Sequence, residues 1–158
     1  DIAARLFPEL SCEKRMRLIE TCCEFECEYL RKHGGRLYPH VEDTLEKLSA
    51  RYPLYIVSNC QDGYIEAMFA VHDLQKYFRD YECSGRTGKA KFENLKSIVE
   101  RNHLQQPVYI GDTKTDQVSC CKAGIPFIYA SFGFGEADDY AASVDTFSKL
   151  AQLFLTEQ

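Results

Sequence analysis

The chain has 158 residues, 45% apolar and 27% charged, with 19 basic against 24 acidic side chains and a formal charge of −5. A chain of this size removes roughly 68–70% of its unfolded surface from water, so one ordinary domain is expected to hold without disulfides or a structural metal. Disordered, collagen-like and repeat architectures are excluded, and the acidic balance argues against a nucleic-acid partner, which needs a concentrated basic face. No apolar run approaches the roughly 20 residues that span a bilayer, so no membrane partner is expected. The start, Asp1-Ile2-Ala3-Ala4-Arg5, lacks a basic-then-apolar signal pattern. Eight cysteines include the adjacent pairs Cys22-Cys23 and Cys120-Cys121 in helical patterns and no Cys-x-x-Cys spacing. They read as reduced thiols of a cytoplasmic chain rather than as bridges or a zinc site.

In chain order, Ile2 to Leu10 reads as the end of a helix interrupted at Pro8. Residues 12–32 form one long amphipathic helix, capped by Ser11 and stopped at Gly34-Gly35, with Leu18, Cys22, Phe25 and Tyr29 along its apolar stripe. From Tyr38 the pattern changes to helices alternating with short apolar strands. A helix over Val41–Ala50 precedes a strand at Leu54–Val57, and a helix near Gly63–Val71 precedes a short strand near Tyr81–Cys83. A helix from Phe92 to Asn102 leads to a strand at Val108–Ile110, then a helix over Thr115–Ala123 stopped by Gly124, a strand at Phe127–Ala130 and a helix near Thr146–Leu155. This alternation implies an α/β fold with a Rossmann-like parallel sheet and flanking helices, residues 37–158, preceded by an all-helical segment, residues 1–36.

In an open parallel sheet, ligands bind beyond the carboxyl ends of the strands. Ser58-Asn59-Cys60 follows one strand, and Gly111-Asp112-Thr113-Lys114-Thr115-Asp116 follows another, with Lys89 and Lys91 before the intervening helix. Hydroxyl, amide and cation suit an anion, while paired carboxylates suit a hard cation. Taken singly, each has a plainer reading: a turn at Ser58-Asn59, a helix cap at Asp112, a surface Asp116 and solvated lysines. Their shared placement at one end of successive strands favours a site.

The ordered set resembles the haloacid dehalogenase superfamily of phosphohydrolases, especially its phosphoglycolate-phosphatase-like branch with a helical cap. Ile56-Val57-Ser58-Asn59 is similar to that family's second motif, Lys91 or Lys89 to its third, and Tyr109 to Asp116 to its fourth. Leu37 to Leu45, Ala123-Gly124-Ile125-Pro126 and Phe132-Gly133-Phe134-Gly135 resemble flanking segments. The resemblance implies a small-molecule phosphomonoester substrate, an aspartyl-phosphate intermediate and Mg²⁺ as cofactor. It implies Ser58, Asn59 and Lys91 as phosphate-binding residues, Ser58 and Lys91 also as catalytic ones, and Asp112 with Asp116 at the metal as ligand or orienter. Lys91 is favoured over Lys89 because the helix begins directly after it.

One feature departs from that family. Its first motif, an apolar strand ending in Asp-x-Asp-Gly-Thr that bears the nucleophile, is absent from these 158 residues. The expectation is therefore a portion of a longer phosphatase that starts inside the cap and lacks an N-terminal segment. Alone it is expected to be inactive and prone to self-association. The competing reading is a non-catalytic phosphate- and metal-binding regulatory module of the same fold. A phosphoacceptor receiver domain would need its acidic pair near the N-terminus, an order this chain lacks.

Overall fold

Ser11 accepts a hydrogen bond from the Lys14 N–H and Gly34 adopts φ 67°, so the longest helix is fixed at both ends by the residues its sequence offers for the purpose. The structure is a computed structural model and describes residues 2–155; Asp1 and residues 156–158, which belong to the expected segments 1–36 and 37–158, lie outside the described residues. In chain order the helices are α1 (Ile2–Leu6), α2 (Cys12–His33), α3 (Val41–Ser49), α4 (Tyr64–His72), α5 (Ser84–Thr87), α6 (Lys91–Arg101), α7 (Lys114–Ala123) and α8 (Lys149–Leu155). The strands are β1 (Leu54–Ser58), β2 (Phe78–Cys83), β3 (Tyr109–Gly111), β4 (Phe127–Ala130) and β5 (Ala142–Val144).

The chain divides into two compact units: the residues through Gly35 with Gly63–Asp73, and Arg36–Asp62 with the residues from Leu74 onward. In the first, α2 packs on α1 and on α4, which its place in the sequence had assigned to the α/β part. Of the expected stripe of α2, Leu18 is half-buried but the other three residues do not face inward. Phe25 is 68% and Tyr29 51% exposed and Cys22 is exposed, whereas Cys27 is buried and Cys23 and Leu30 are half-buried. The neighbouring helix decides this: Gly63, at the start of α4, lies against Cys27 and Arg31, which selects the Cys23-Cys27-Leu30 face instead.

In the second unit all strand pairs are parallel, as expected, but the sheet is divided. β1 pairs only with β2, with Ser58 opposite Cys83, and β3–β4–β5 form a separate group with Gly111 opposite Tyr129. Among the described residues no main-chain pairing joins β1 to β3. The two groups share one core instead, built from Val57, Leu95, Ile98, Cys120, Ile125 and Phe127. Helix α6 packs on β1 and β2, α7 packs on β3 and β4, and the two helices pack on each other. A second cluster, Leu48, Val144 and Leu150, joins α3, β5 and α8. The one buried carboxylate of β2, Glu82, is held by Arg101 Nη1 at 2.7 Å, which satisfies a charge that would otherwise be costly there.

Candidate functional site

Three loops at the carboxyl ends of β1, β2 and β3 carry the polar residues of interest. After β3, Thr113 caps α7: its hydroxyl accepts from the Asp116 N–H at 3.2 Å, while Asp116 Oδ2 accepts from the Thr113 N–H at 3.1 Å and the Thr113 hydroxyl at 2.7 Å. This is the reciprocal cap that a threonine and a carboxylate three residues apart can form. It makes Thr113, not Asp112, the cap, and draws Asp116 inward until 4% of it is exposed. Asp112 stays half-buried beside the loop after β4. The Phe134 N–H donates to its Oδ2 at 2.8 Å, and a Cβ on Gly133 would overlap its side chain.

Lys91 opens α6 and points into the protein, whereas Lys89 is exposed. The loop between them is tied down: the Thr87 hydroxyl donates to Asn94 Oδ1 at 2.9 Å and accepts from the Lys89 N–H at 3.1 Å, and Glu93 accepts from the Ala90 N–H at 3.0 Å. The Lys91 ammonium reaches Asp116 Oδ1 at 2.5 Å and the Tyr109 hydroxyl at 3.1 Å, with the two charged side chains only 9% and 6% exposed. Tyr109 in turn donates to the Val57 carbonyl at 2.8 Å. A side-chain bridge thus crosses from β3 to β1 where no main-chain pairing does.

Electrostatics follow from this packing. Burial alone would lower the Lys91 pKa, but the facing Tyr109 oxygen and the bonded Asp116 carboxylate overcome it and hold the ammonium above its ordinary value. Burial alone would raise Asp116; the hydrogen bonds from Lys91 and Thr113 overcome that and hold it below the usual carboxylate range. Burial pushes the Tyr109 phenol up to about 12, and burial together with the Asp116 charge pushes the Cys120 thiol up to about 12. At neutral pH the pair is charged and both neighbours are protonated.

Asn59 and Lys91 line one open depression of about 390 Å³ together with Phe92, Lys114, Thr115 and Ser119. Ser58 adjoins it in sequence and, among the described residues, makes no hydrogen bond to Lys91 or either aspartate; its Oγ accepts from the Cys60 N–H at 3.1 Å. Asp112 is linked to the group by its N–H, which donates to Asp116 Oδ2 at 3.3 Å. A larger depression of about 590 Å³, at the opposite ends of β1 and β2, contains none of these residues. Reasoning from sequence assigned no role to Tyr109, read there as part of a buried strand and of the resembled fourth motif, or to Thr113, whose signal was the spacing Thr-x-x-Asp. Among the described residues no three His, Cys, Asp or Glu side chains cluster as a metal cage, and no helix is long and apolar enough to cross a membrane.

Residues 1–130 match the profile of the haloacid dehalogenase-like hydrolase family. The chain is 27% identical over 139 residues to a phosphoglycolate phosphatase of Escherichia coli (strain K12), covering 83% of this chain and 55% of that protein. It is 29% identical over 154 residues to the phosphoglycolate phosphatase of Vibrio vulnificus (strain CMCP6), covering 92% and 67%. The chain therefore spans about half the length of the first of these relatives. Among solved structures, a hydrolase of the haloacid dehalogenase-like family from Streptococcus pneumoniae superposes with a TM-score of 0.78 at 21% identity, covering 98% of this chain and 76% of that one. CbbY from Rhodobacter sphaeroides, solved in complex with phosphate, gives 0.74 at 16% identity, covering 93% and 72%. At these identities the structures establish the α/β fold, and the profile establishes the family. With strand-end serine, buried lysine and paired aspartates already in place, the chain belongs to the haloacid dehalogenase-like hydrolases.

Proposed function

We propose that this chain carries the phosphate-handling part of a phosphomonoesterase acting on a small substrate of the phosphoglycolate type. The observation that supports it most is the buried Lys91–Asp116 pair set between Asn59 and Asp112. An ammonium held charged in a site of low exposure is a strong attractor for a phosphoryl group. In this reading the Ser58 hydroxyl and the Asn59 N–H donate to phosphoryl oxygens, and Lys91 adds a point charge whose position is fixed by Asp116 and Tyr109. The relatives named as phosphoglycolate phosphatases support the substrate class.

The donor set suits one hard cation incompletely enclosed. Asp112 offers a half-buried carboxylate with one oxygen taken by the Phe134 N–H, while both oxygens of Asp116 are already engaged by Lys91 and Thr113. Asp112 would hold Mg²⁺ directly and Asp116 would orient its surroundings; waters and groups outside these residues would complete a shell of oxygens. When bound, the ion neutralises charge between an anionic phosphate and an anionic nucleophile. The nucleophile in this reading is an aspartate from a strand outside residues 1–158, lying between β1 and β3, whose facing edges have no main-chain partner among the described residues. Its carboxylate attacks phosphorus and expels the substrate alkoxide, and water then cleaves the aspartyl-phosphate to return the carboxylate and phosphate. The helical unit serves as the end of a cap.

The test uses p-nitrophenyl phosphate with Mg²⁺. Residues 1–158 alone are expected to give no turnover. Supplying a segment with the Asp-x-Asp-Gly-Thr strand is expected to give turnover that EDTA abolishes, that Asp112→Ala lowers by about 100-fold or more, and that Lys91→Ala lowers more than Lys89→Ala. Equal turnover in excess EDTA would remove the metal from the scheme. Phosphate binding without turnover after the strand is supplied would favour the non-catalytic regulatory module.

A further inference from the structure

The loop after β1 and the turn after β2 are stitched together beside the proposed phosphate cradle. Ser84 Oγ donates to Asn59 Oδ1 at 3.2 Å, the Gly85 N–H donates to the Cys60 carbonyl at 3.0 Å, the Cys83 thiol donates to the Gln61 carbonyl at 3.8 Å, and Arg86 pairs with Asp62 at 3.2 Å. The approach is so close that a Cβ on Gly85 would overlap the Gln61 and Asp62 backbone. Two thiols sit inside this seam. Cys60 is half-buried, its N–H donates to Ser58 Oγ at 3.1 Å, and the Cys83 thiol reaches the carbonyl of Gln61, the residue that follows Cys60. Cys83, 1% exposed, ends β2 opposite Ser58.

We propose that Cys60 and Cys83 form a two-thiol oxidation site for a peroxide, closing to a disulfide that shifts Ser58 and Asn59. The Cys60 thiolate attacks one peroxide oxygen and the O–O bond breaks, leaving a sulfenic acid on Cys60 and a hydroxide that takes up a proton as water. The Cys83 sulfur then attacks the Cys60 sulfur; the S–O bond breaks, and the hydroxyl leaves with the Cys83 thiol proton as a second water. Two thiols are oxidised and one peroxide is reduced to two waters. Cys60 reacts first because solvent reaches it, and Cys83 resolves because it lies buried in the same seam, against the carbonyl of the residue that follows Cys60. Burial raises the Cys60 pKa, so its thiolate is scarce at neutral pH and the site answers sustained rather than trace exposure.

Bond formation requires the two sulfurs to close to about 2.05 Å. The Cys60 N–H donates to Ser58 Oγ and its carbonyl accepts from Gly85, so any backbone shift of Cys60 during closure pulls on both contacts. The displacement therefore passes directly into the Ser58–Asn59 turn. That consequence for phosphate rests on the function proposed above; the oxidation site does not. Cys12, Cys22 and Cys121 are exposed and distributed elsewhere in the chain, which makes them internal controls for unselective oxidation.

The full 158-residue chain, reduced and then exposed to hydrogen peroxide, is alkylated and mapped by mass spectrometry. The expected product is a Cys60–Cys83 linked peptide that dithiothreitol reverses and that Cys60→Ser and Cys60→Ala both abolish; two replacements guard against a folding defect in either. In the same sample the amide resonances of Ser58 and Asn59 are expected to move, and affinity for inorganic phosphate to fall by about tenfold or more, the range of ordinary coupling between sites. Oxidation of Cys60 to sulfinic acid without the link, linkage of either thiol to another cysteine, or a link that leaves the two amides in place overturns the proposal. If the reduced chain itself fails to bind phosphate, the cradle reading fails while the mapped link still stands.

Discussion

Replacing Asp116 with asparagine keeps its shape and removes its charge, leaving the Lys91 ammonium buried without a counter-ion. Loss of one partner of such a pair costs about 3 kcal/mol or more. The sign with pH follows from the two shifts. Asp116 is held below its ordinary value, so its contribution is present above about pH 4, the unfolded value, and is lost as pH falls through the folded one. Lys91 is held above its ordinary value, so its contribution is present below about pH 10.4 and is lost as pH rises through the folded value. The stability gap between the native chain and Asp116→Asn, measured by urea unfolding, is therefore expected to be flat through neutral pH and to close below about pH 4. A gap that persists undiminished in strong acid would mean that shape, not charge, carries the contribution. The sequence placed Lys91 and Asp116 at neighbouring strand ends, which was enough to suspect an anion site. It did not reveal that they bond directly to each other, nor that Tyr109 ties Lys91 to β1, because Tyr109 sits in a strand where an aromatic ring is an ordinary core residue and its hydroxyl leaves no trace in an apolar pattern.

At the scale of elements, helix α7 is fixed by a threonine–aspartate cap that also orients the site, so stability and function share residues. Thr113→Ala is expected to cost about 1–2 kcal/mol in thermal or denaturant unfolding, the upper range for a lost cap, because Asp116 loses a partner as well. Gly133→Ala acts from the other side: its methyl would overlap the Asp112 side chain down to its Cβ, and the Asp112 N–H is bonded to Asp116, so Mg²⁺ affinity and the unfolding midpoint should both fall. Most elements were readable. Strand β1 is a continuous apolar run, and α2 carries a cap serine at one end and glycine at the other. What could not be read was the inward face of α2, since the 18-22-25-29 and 23-27-30 rows are both apolar and only the partner helix selects one. Strand β5 escaped notice for a similar reason: Ala142-Ser143-Val144 holds one large apolar residue and becomes a strand only by pairing with β4.

The whole molecule inherits the divided sheet. Val108 and Ile110, 43% and 37% exposed, belong to or adjoin β3, whose edge facing β1 is unpaired among the described residues, and an unpaired apolar edge invites strand-to-strand association. Concentration-dependent self-association is expected in sedimentation or light scattering, and Ile110→Lys should reduce it; equal association in that variant would locate the contact elsewhere. The division has one more consequence. Every main-chain pairing in the first strand group lies within residues 54–83 and every one in the second within 109–144, and the turn between α6 and β3 separates them, with His103 at φ 53° marking its tight point. A polypeptide cut between His103 and Pro107 would lose no strand pairing. The severed halves, produced as separate chains, should therefore recognise each other through the α6–α7 contact and the Tyr109–Val57 bridge, making this fold a reporter that lights up when two fused partners meet.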